Sequence, residues 1–177
     1  RFTLTISNQL VVGSSVSFAE GSVSVNPAAG DDDKYAKGSV VTLTASPASG
    51  YGLRNWAGTG SDTSNPTTVT VSSDKHVTVT FELRFPLTVN NYSVTGSSAN
   101  FTEGSVSVNP VPKDDGKYPK DITVTLTAIP ASGYRFDRWE GDASGNVTAV
   151  TITMNSNKSI TATFKKVYTL TTSVNPA

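Results

Sequence analysis

Two tryptophans, Trp56 and Trp139, each sit in a Gly-Tyr stretch, and the second is ringed by charge. The second stretch reads GYRFDRWEGD, from Gly133 to Asp142, with Asp137, Glu140 and Asp142 around Trp139. Exposed, such a Trp is a platform for a sugar ring, and clustered carboxylates are candidates for acid–base work. On a strand, alternate residues face opposite ways. Tyr134 and Phe136 therefore share a face, and Trp139, five residues after Tyr134, falls on the other. A one-residue bulge would return it inward, where it is one of the few groups able to bury some 150–250 Å².

The first stretch, GYGLRNWAGTG from Gly50 to Gly60, decides between these readings. It keeps the Gly-Tyr, the apolar residue two later and the Trp. It places Arg54, Ala57 and Thr59 where Asp137, Glu140 and Asp142 stand. The shared part is what a bulged core strand needs, and the unshared part is what an acid–base site would need. The spacing therefore predicts a bulge, with Trp56, Trp139, Tyr51, Tyr134, Phe136, Phe81 and Phe164 as core. The charged group is left at the surface, pairing with Arg135 and Arg138. The competing reading makes Trp56, Trp139, Tyr35, Tyr118 and Tyr92 a ligand-binding set. Among these, Tyr118 borders a polar loop and is expected to be the more open.

Other chemistry is sparse. His76 is the sole histidine and cysteine is absent, so no conventional triad, thiolate metal site or disulfide framework can be assembled within this chain. Asp31-Asp32-Asp33 and Asp114-Asp115 lie in a long loop, each followed by Lys and Tyr. Ca²⁺ takes six to eight oxygen ligands, and Asp114 and Asp115 are its candidates; a solvated turn neutralised by the neighbouring lysine is the alternative. Fourteen basic residues balance fourteen acidic ones with no Lys/Arg-rich run, which argues against nucleic acid and anionic membranes as partners. No apolar run approaches the ~20 residues of a membrane-spanning helix, so no membrane insertion is expected.

The elements that position these residues are copied. Phe2-Thr3-Leu4-Thr5 recurs as Phe85-Pro86-Leu87-Thr88 and as Tyr168-Thr169-Leu170-Thr171, at a constant interval of 83 residues (85 − 2 and 168 − 85). Glu20 to Pro27 recurs unchanged as Glu103 to Pro110, and Val41 to Ala45 as Val124 to Ala128. The expected modules are residues 1–84 and 85–167, with residues 168–177 the start of a third. Ser and Thr, roughly a quarter of the chain, alternate with Val, Ile and Leu, the pattern of strands with one wet face. Turn signals put six strands in the second copy, near 86–94, 101–109, 121–129, 133–140, 148–154 and 158–167. No helical spacing runs for ten residues. The fold class is all-β: two tandem small β-sandwich or β-grasp-like modules of about six short strands each, with little or no helix. The junction Thr161 to Leu170 has no Gly, Pro or flexible composition, so the copies are expected to join semi-rigidly.

The run from Gly104 to Phe164 carries GSVSVNP, then VTLTA, then GYRFDRWEGD, then VTITMNSNKSITATF. In this combination it resembles the divergent internalin B B-repeat domain over nearly the whole of each copy. The first copy departs at Gly52, Leu53 and Ala57-Gly58-Thr59. The resemblance implies an extracellular or cell-surface location on a bacterium and several modules in series. It also implies possible β-grasp character and neighbours that adhere or act on polysaccharide. The expected function is a non-catalytic spacer or adhesive stalk in a larger exported protein, of which this chain, beginning at Arg1, reads as a piece. Its partners would be neighbouring repeats and a polysaccharide or host surface protein. The alternative is a carbohydrate-binding module of a polysaccharide-acting enzyme. No cofactor is expected beyond the Ca²⁺ considered above.

Overall fold

The computed structural model describes residues 1–7, 9–11, 13–90, 92–93 and 98–170; residues 10, 92 and 93 are described by backbone alone. It divides into two compact units, Arg1–Arg84 and Phe85–Ala177. There is no helix among the described residues.

The first unit holds β1 (Leu4–Ile6), β2 (Gln9–Leu10), β3 (Ser15–Phe18), β4 (Gly21–Asn26), β5 (Ser39–Pro47), β6 (Tyr51–Ala57), β7 (Thr67–Val71) and the start of β8 (Lys75–Val89). One sheet runs β3-β4-β5-β7, antiparallel throughout. In the other, β8 lies antiparallel to β6 and parallel to β1, which pairs antiparallel with β2. Val-Thr alternation sets the faces. In β5, Val41, Leu43 and Ala45 are buried while Thr42 and Thr44 are half-exposed. The core draws Val23, Val25, Val41 and Leu43 from the first sheet and Leu4, Ile6, Trp56 and Val77 from the second, so the unit is a β-sandwich.

The second unit repeats this with the end of β8, β9 (Tyr92–Ser93), β10 (Ser98–Phe101), β11 (Gly104–Asn109), β12 (Lys117–Pro119), β13 (Thr123–Pro130), β14 (Tyr134–Gly141), β15 (Ala149–Thr153) and β16 (Lys158–Lys166). Its sheets are β10-β11-β13-β15 and β14-β16-β8, with β9 and β12 also paired to β8. Leu87 faces Lys158 in a parallel ladder, as Leu4 faces Lys75 in the first unit. Among the described residues the sandwich forms without the helix that a β-grasp requires.

One predicted strand is two. The stretch 101–109 is a hairpin, Phe101 pairing with Gly104 across Thr102 and Glu103. Its turn has no Pro, Asn or Gly at its centre, so the usual turn signal is missing. The glycine that follows is fixed by packing. A Cβ on Gly104 would collide with the Phe164 ring and the Ile129 carbonyl, and one on Gly21 with the Phe81 ring and the Ser46 carbonyl. The unchanged Glu-Gly-Ser motif is thus a seat for an aromatic ring.

Candidate functional site

In β14 the register against β16 slips between Phe136 and Arg138, leaving Asp137 as the extra residue. β6 slips against β8 at the equivalent place, between Leu53 and Asn55. The bulge turns Trp139 onto the face of Phe136, their ring centroids 5.1 Å apart, and Phe136 meets Phe164 edge-on at 5.9 Å. Trp139 is 2 % exposed and Trp56 fully buried. Each indole N–H is satisfied by a carbonyl eight residues on: Nε1 of Trp139 donates to Val147 at 2.9 Å, and Nε1 of Trp56 to Ser64 at 3.1 Å. The backbone amides of the same residues donate to Gly145 and Asp62. The loop after each Trp therefore folds back as its lid. Two residues past the Trp, Gly58 and Gly141 adopt φ of 83° and 87°. A Cβ there would press into the carbonyl of His76 or Ser159, so the position admits only glycine.

The charged group around Trp139 is tied into the scaffold. Asp137 takes Arg138 at 2.7 Å and Lys165 at 2.9 Å. The Lys165 hydrogen bond, followed by the nearby positive charges, holds its carboxyl below the usual range. With only 13 % of its side chain exposed, Asp137 is more enclosed than the surface position expected of it, because the bulge lays it between two cations. Glu140 accepts from Nε of Arg138 at 2.7 Å. Asp142 accepts the Ser159 amide at 2.7 Å, with Lys158 at 3.5 Å. Every carboxylate of this group has a structural partner.

Four of the five residues in the ligand-binding set are buried. Trp56, Trp139, Tyr35 and Tyr118 all have buried rings, and Tyr92 lies in β9 with its side chain outside the described residues. The expectation of an open Tyr118 is corrected: it is fully buried. β12 pairs with β8, and Tyr35 exchanges both backbone hydrogen bonds with Phe2 at 2.9 Å, so each ring is drawn into the core of its unit. The two phenols differ. The hydroxyl of Tyr35 donates to the Pro27 carbonyl at 3.3 Å, whereas that of Tyr118 is buried without a partner among the described residues. Burial pushes the Tyr118 phenol up to about 12. Of the expected core, Phe81 and Phe164 pack half-buried against it; Tyr51 and Tyr134, each the first residue of its strand, are only half-buried at its margin.

Asp114 and Asp115 occupy the middle of a turn closed by the Gly116 amide on the Lys113 carbonyl at 2.8 Å, and Asp115 accepts the Lys117 amide at 3.1 Å. In the first unit Asp32 pairs with Arg1 at 2.6 Å. Among the described residues no three His, Cys, Asp or Glu side chains converge as metal ligands. His76 Nδ1 lies 2.9 Å from the Thr5 hydroxyl, at the surface. An open cleft in the second unit is lined by Asn90, Asn100, Phe101, Thr102 and Glu103, of which Glu103 alone is ionisable.

Sequence reasoning missed the reason for Gly52. The Arg84 guanidinium lies across it, bonded to the Leu53 carbonyl and to Glu82 at 3.0 Å, and a Cβ at position 52 would overlap Arg84. The second unit has Arg135 and Val167 at these positions. The signal was present as a paired change, Gly with Arg against Arg with Val.

A model of the divergent InlB B-repeat domain matches residues 14–84 and again residues 92–168. No curated protein and no solved structure matches the chain. Such repeats are typically non-catalytic and are associated with bacterial surface proteins. The match spans both bulged strands and both buried tryptophans, and the chain belongs to the divergent InlB B-repeat family as two tandem copies.

Proposed function

We propose that the chain serves as a semi-rigid, non-catalytic spacer or adhesive stalk within a larger exported bacterial protein. One observation carries this reading. The residues most faithfully repeated, Gly21 and Gly104, Trp56 and Trp139, Gly58 and Gly141, are the ones that make the sandwich. The charged residues around Trp139 differ from those around Trp56 and are spent on internal contacts. The carboxylates kept in both copies, Glu20 and Glu103, Asp31-Asp32 and Asp114-Asp115, lie in turns, and no three of them converge as metal ligands among the described residues. The Thr-rich strand sequence running through each junction, without flexible composition, supports stiffness between copies.

Small-angle scattering tests it. The two-unit chain should fit a single conformer, and Gly-Ser residues inserted between Arg84 and Phe85 should broaden the distribution of lengths. A parent chain as broadly distributed as the insert would overturn the stiffness. A glycan array on the intact chain tests the alternative; specific retention of a polysaccharide would replace the spacer reading with a carbohydrate-binding one.

A further inference from the structure

The strand that opens each unit is held in the same way twice. Leu4 and Leu87 are fully buried, facing Lys75 and Lys158 in parallel ladders. Phe2 and Phe85 pack half-buried on the same cores. The strand then stops at a residue of positive φ, Ser7 at 46° and Asn90 at 49°. There the backbone amide donates to Val77 or Ile160, and the side chain stands in for the next ladder position. Asn90 Oδ1 accepts the Ala162 amide at 2.7 Å and its Nδ2 donates to the Ala162 carbonyl at 3.1 Å. The Ser7 hydroxyl does the same with Val79 at 3.2 and 3.3 Å. An opening strand is thus an aromatic, a Leu two residues on, and a Ser or Asn three beyond that.

Tyr168, Leu170 and Ser173 have this spacing. Thr172 stands where Ile6 and Val89 stand, which leaves Tyr168 and Leu170 as the apolar anchors. Both are uncovered: Tyr168 is 81 % and Leu170 87 % exposed, and the Tyr168 ring meets Lys166 Nζ 5.5 Å from its centroid. Side chains of this type, fully buried at one position and half-buried at the other in both complete units, stand in water here at a cost that docking would remove.

We propose that Tyr168–Leu170 is a docking strand whose partner is the closing strand of a further unit of the same kind. That strand would lie parallel, with its leading Lys opposite Leu170, in the pattern Lys-x-Val/Ile-Thr-x-Thr-Phe shared by Lys75–Phe81 and Lys158–Phe164. The closing strands of a second copy of this chain already hold their own Leu4 and Leu87, so they are not the occupant. The inference rests on the repeat and not on the spacer role, which the scattering experiment decides separately.

The test extends the intact chain. A copy of residues 95–167 appended after Ala177 supplies the missing closing strand in register. The extended chain should gain a third calorimetric unfolding increment and protect the 168–170 amides from hydrogen exchange. Leu170→Asp should abolish both, while leaving the melting of the 177-residue chain unchanged; Leu87→Asp in that chain, which should unfold its second unit, calibrates the assay. The proposal is overturned if the extended Leu170→Asp protein melts like its parent. It is also overturned if Leu170→Asp already destabilises the 177-residue chain, since Leu170 then packs on the second unit. An extension whose third unit does not fold overturns it too, because the two anchors are then insufficient.

Discussion

Around the two tryptophans the units agree in backbone and differ in charge. Both bulge at the same place, both lid the indole with a loop eight residues on, and both need glycine two residues past the Trp. Yet Asp137, Glu140 and Asp142 face Arg54, Ala57 and Thr59 across the repeat. The Asp137–Lys165 ion pair recurs in the first unit with its charges reversed, as Arg54–Glu82 at 4.0 Å, while Asn55 stands in place of Arg138 and Arg84 lies over Gly52 and also pairs with Glu82. The two surfaces cover the same bulge with different charges. The interior varies among apolar residues, as Val71 against Met154 and Val79 against Ala162, around the two kept tryptophans.

The sharpest way to break this comparison is to remove the indoles. Trp56→Ala and Trp139→Ala should each destabilise their own unit by about 3–5 kcal/mol, seen as one of two calorimetric transitions moving down. Near-equal losses are expected because both rings are buried and hydrogen-bonded alike. A variant that melts like the parent but loses a ligand would place its Trp at a binding surface.

Next come the glycines. Gly58→Ala and Gly141→Ala force a side chain into the left-handed region and against a carbonyl, at a cost of about 1–3 kcal/mol each. Urea denaturation measures it; a neutral result in either copy would show that the loop after the Trp can move aside.

The tyrosines should separate the copies. Tyr35→Phe removes the hydrogen bond to Pro27 and should cost about 0.5–1.5 kcal/mol, whereas Tyr118→Phe removes a buried hydroxyl that has no partner among the described residues and should cost nothing or stabilise. Equal losses in thermal melts would reveal a partner for Tyr118.

The smallest effect is acid dependence. The Asp137 carboxyl is depressed in the folded state, chiefly by the Lys165 hydrogen bond. Its contribution is present above the ordinary carboxylate value and is lost as the pH falls below about 4, through the depressed folded value. Asp137→Asn should therefore flatten the acid branch of the second unit's stability and leave the first unit's unchanged. A shift in both would mean that the units do not unfold independently.

Much of this was legible in one dimension, for a definite reason. The constant interval of 83 residues marks the copies, and Val-Thr alternation marks which residues face the core, because strand geometry converts parity directly into facing. Even the bulge could be read, since an out-of-phase Trp kept in both copies has no other way inward. What the tertiary structure alone decided depends on atoms distant in sequence. Tyr118 is buried because β12 pairs with β8, not because of its neighbours Lys117 and Pro119, which mark no core strand. Gly104 is glycine because Phe164, sixty residues on, rests upon it, and Gly52 because Arg84 does. The Asn90 amide completes a ladder with Ala162 that no local pattern announces. Local periodicity sets which way a side chain points; only the closing of one sheet on the other sets what it meets.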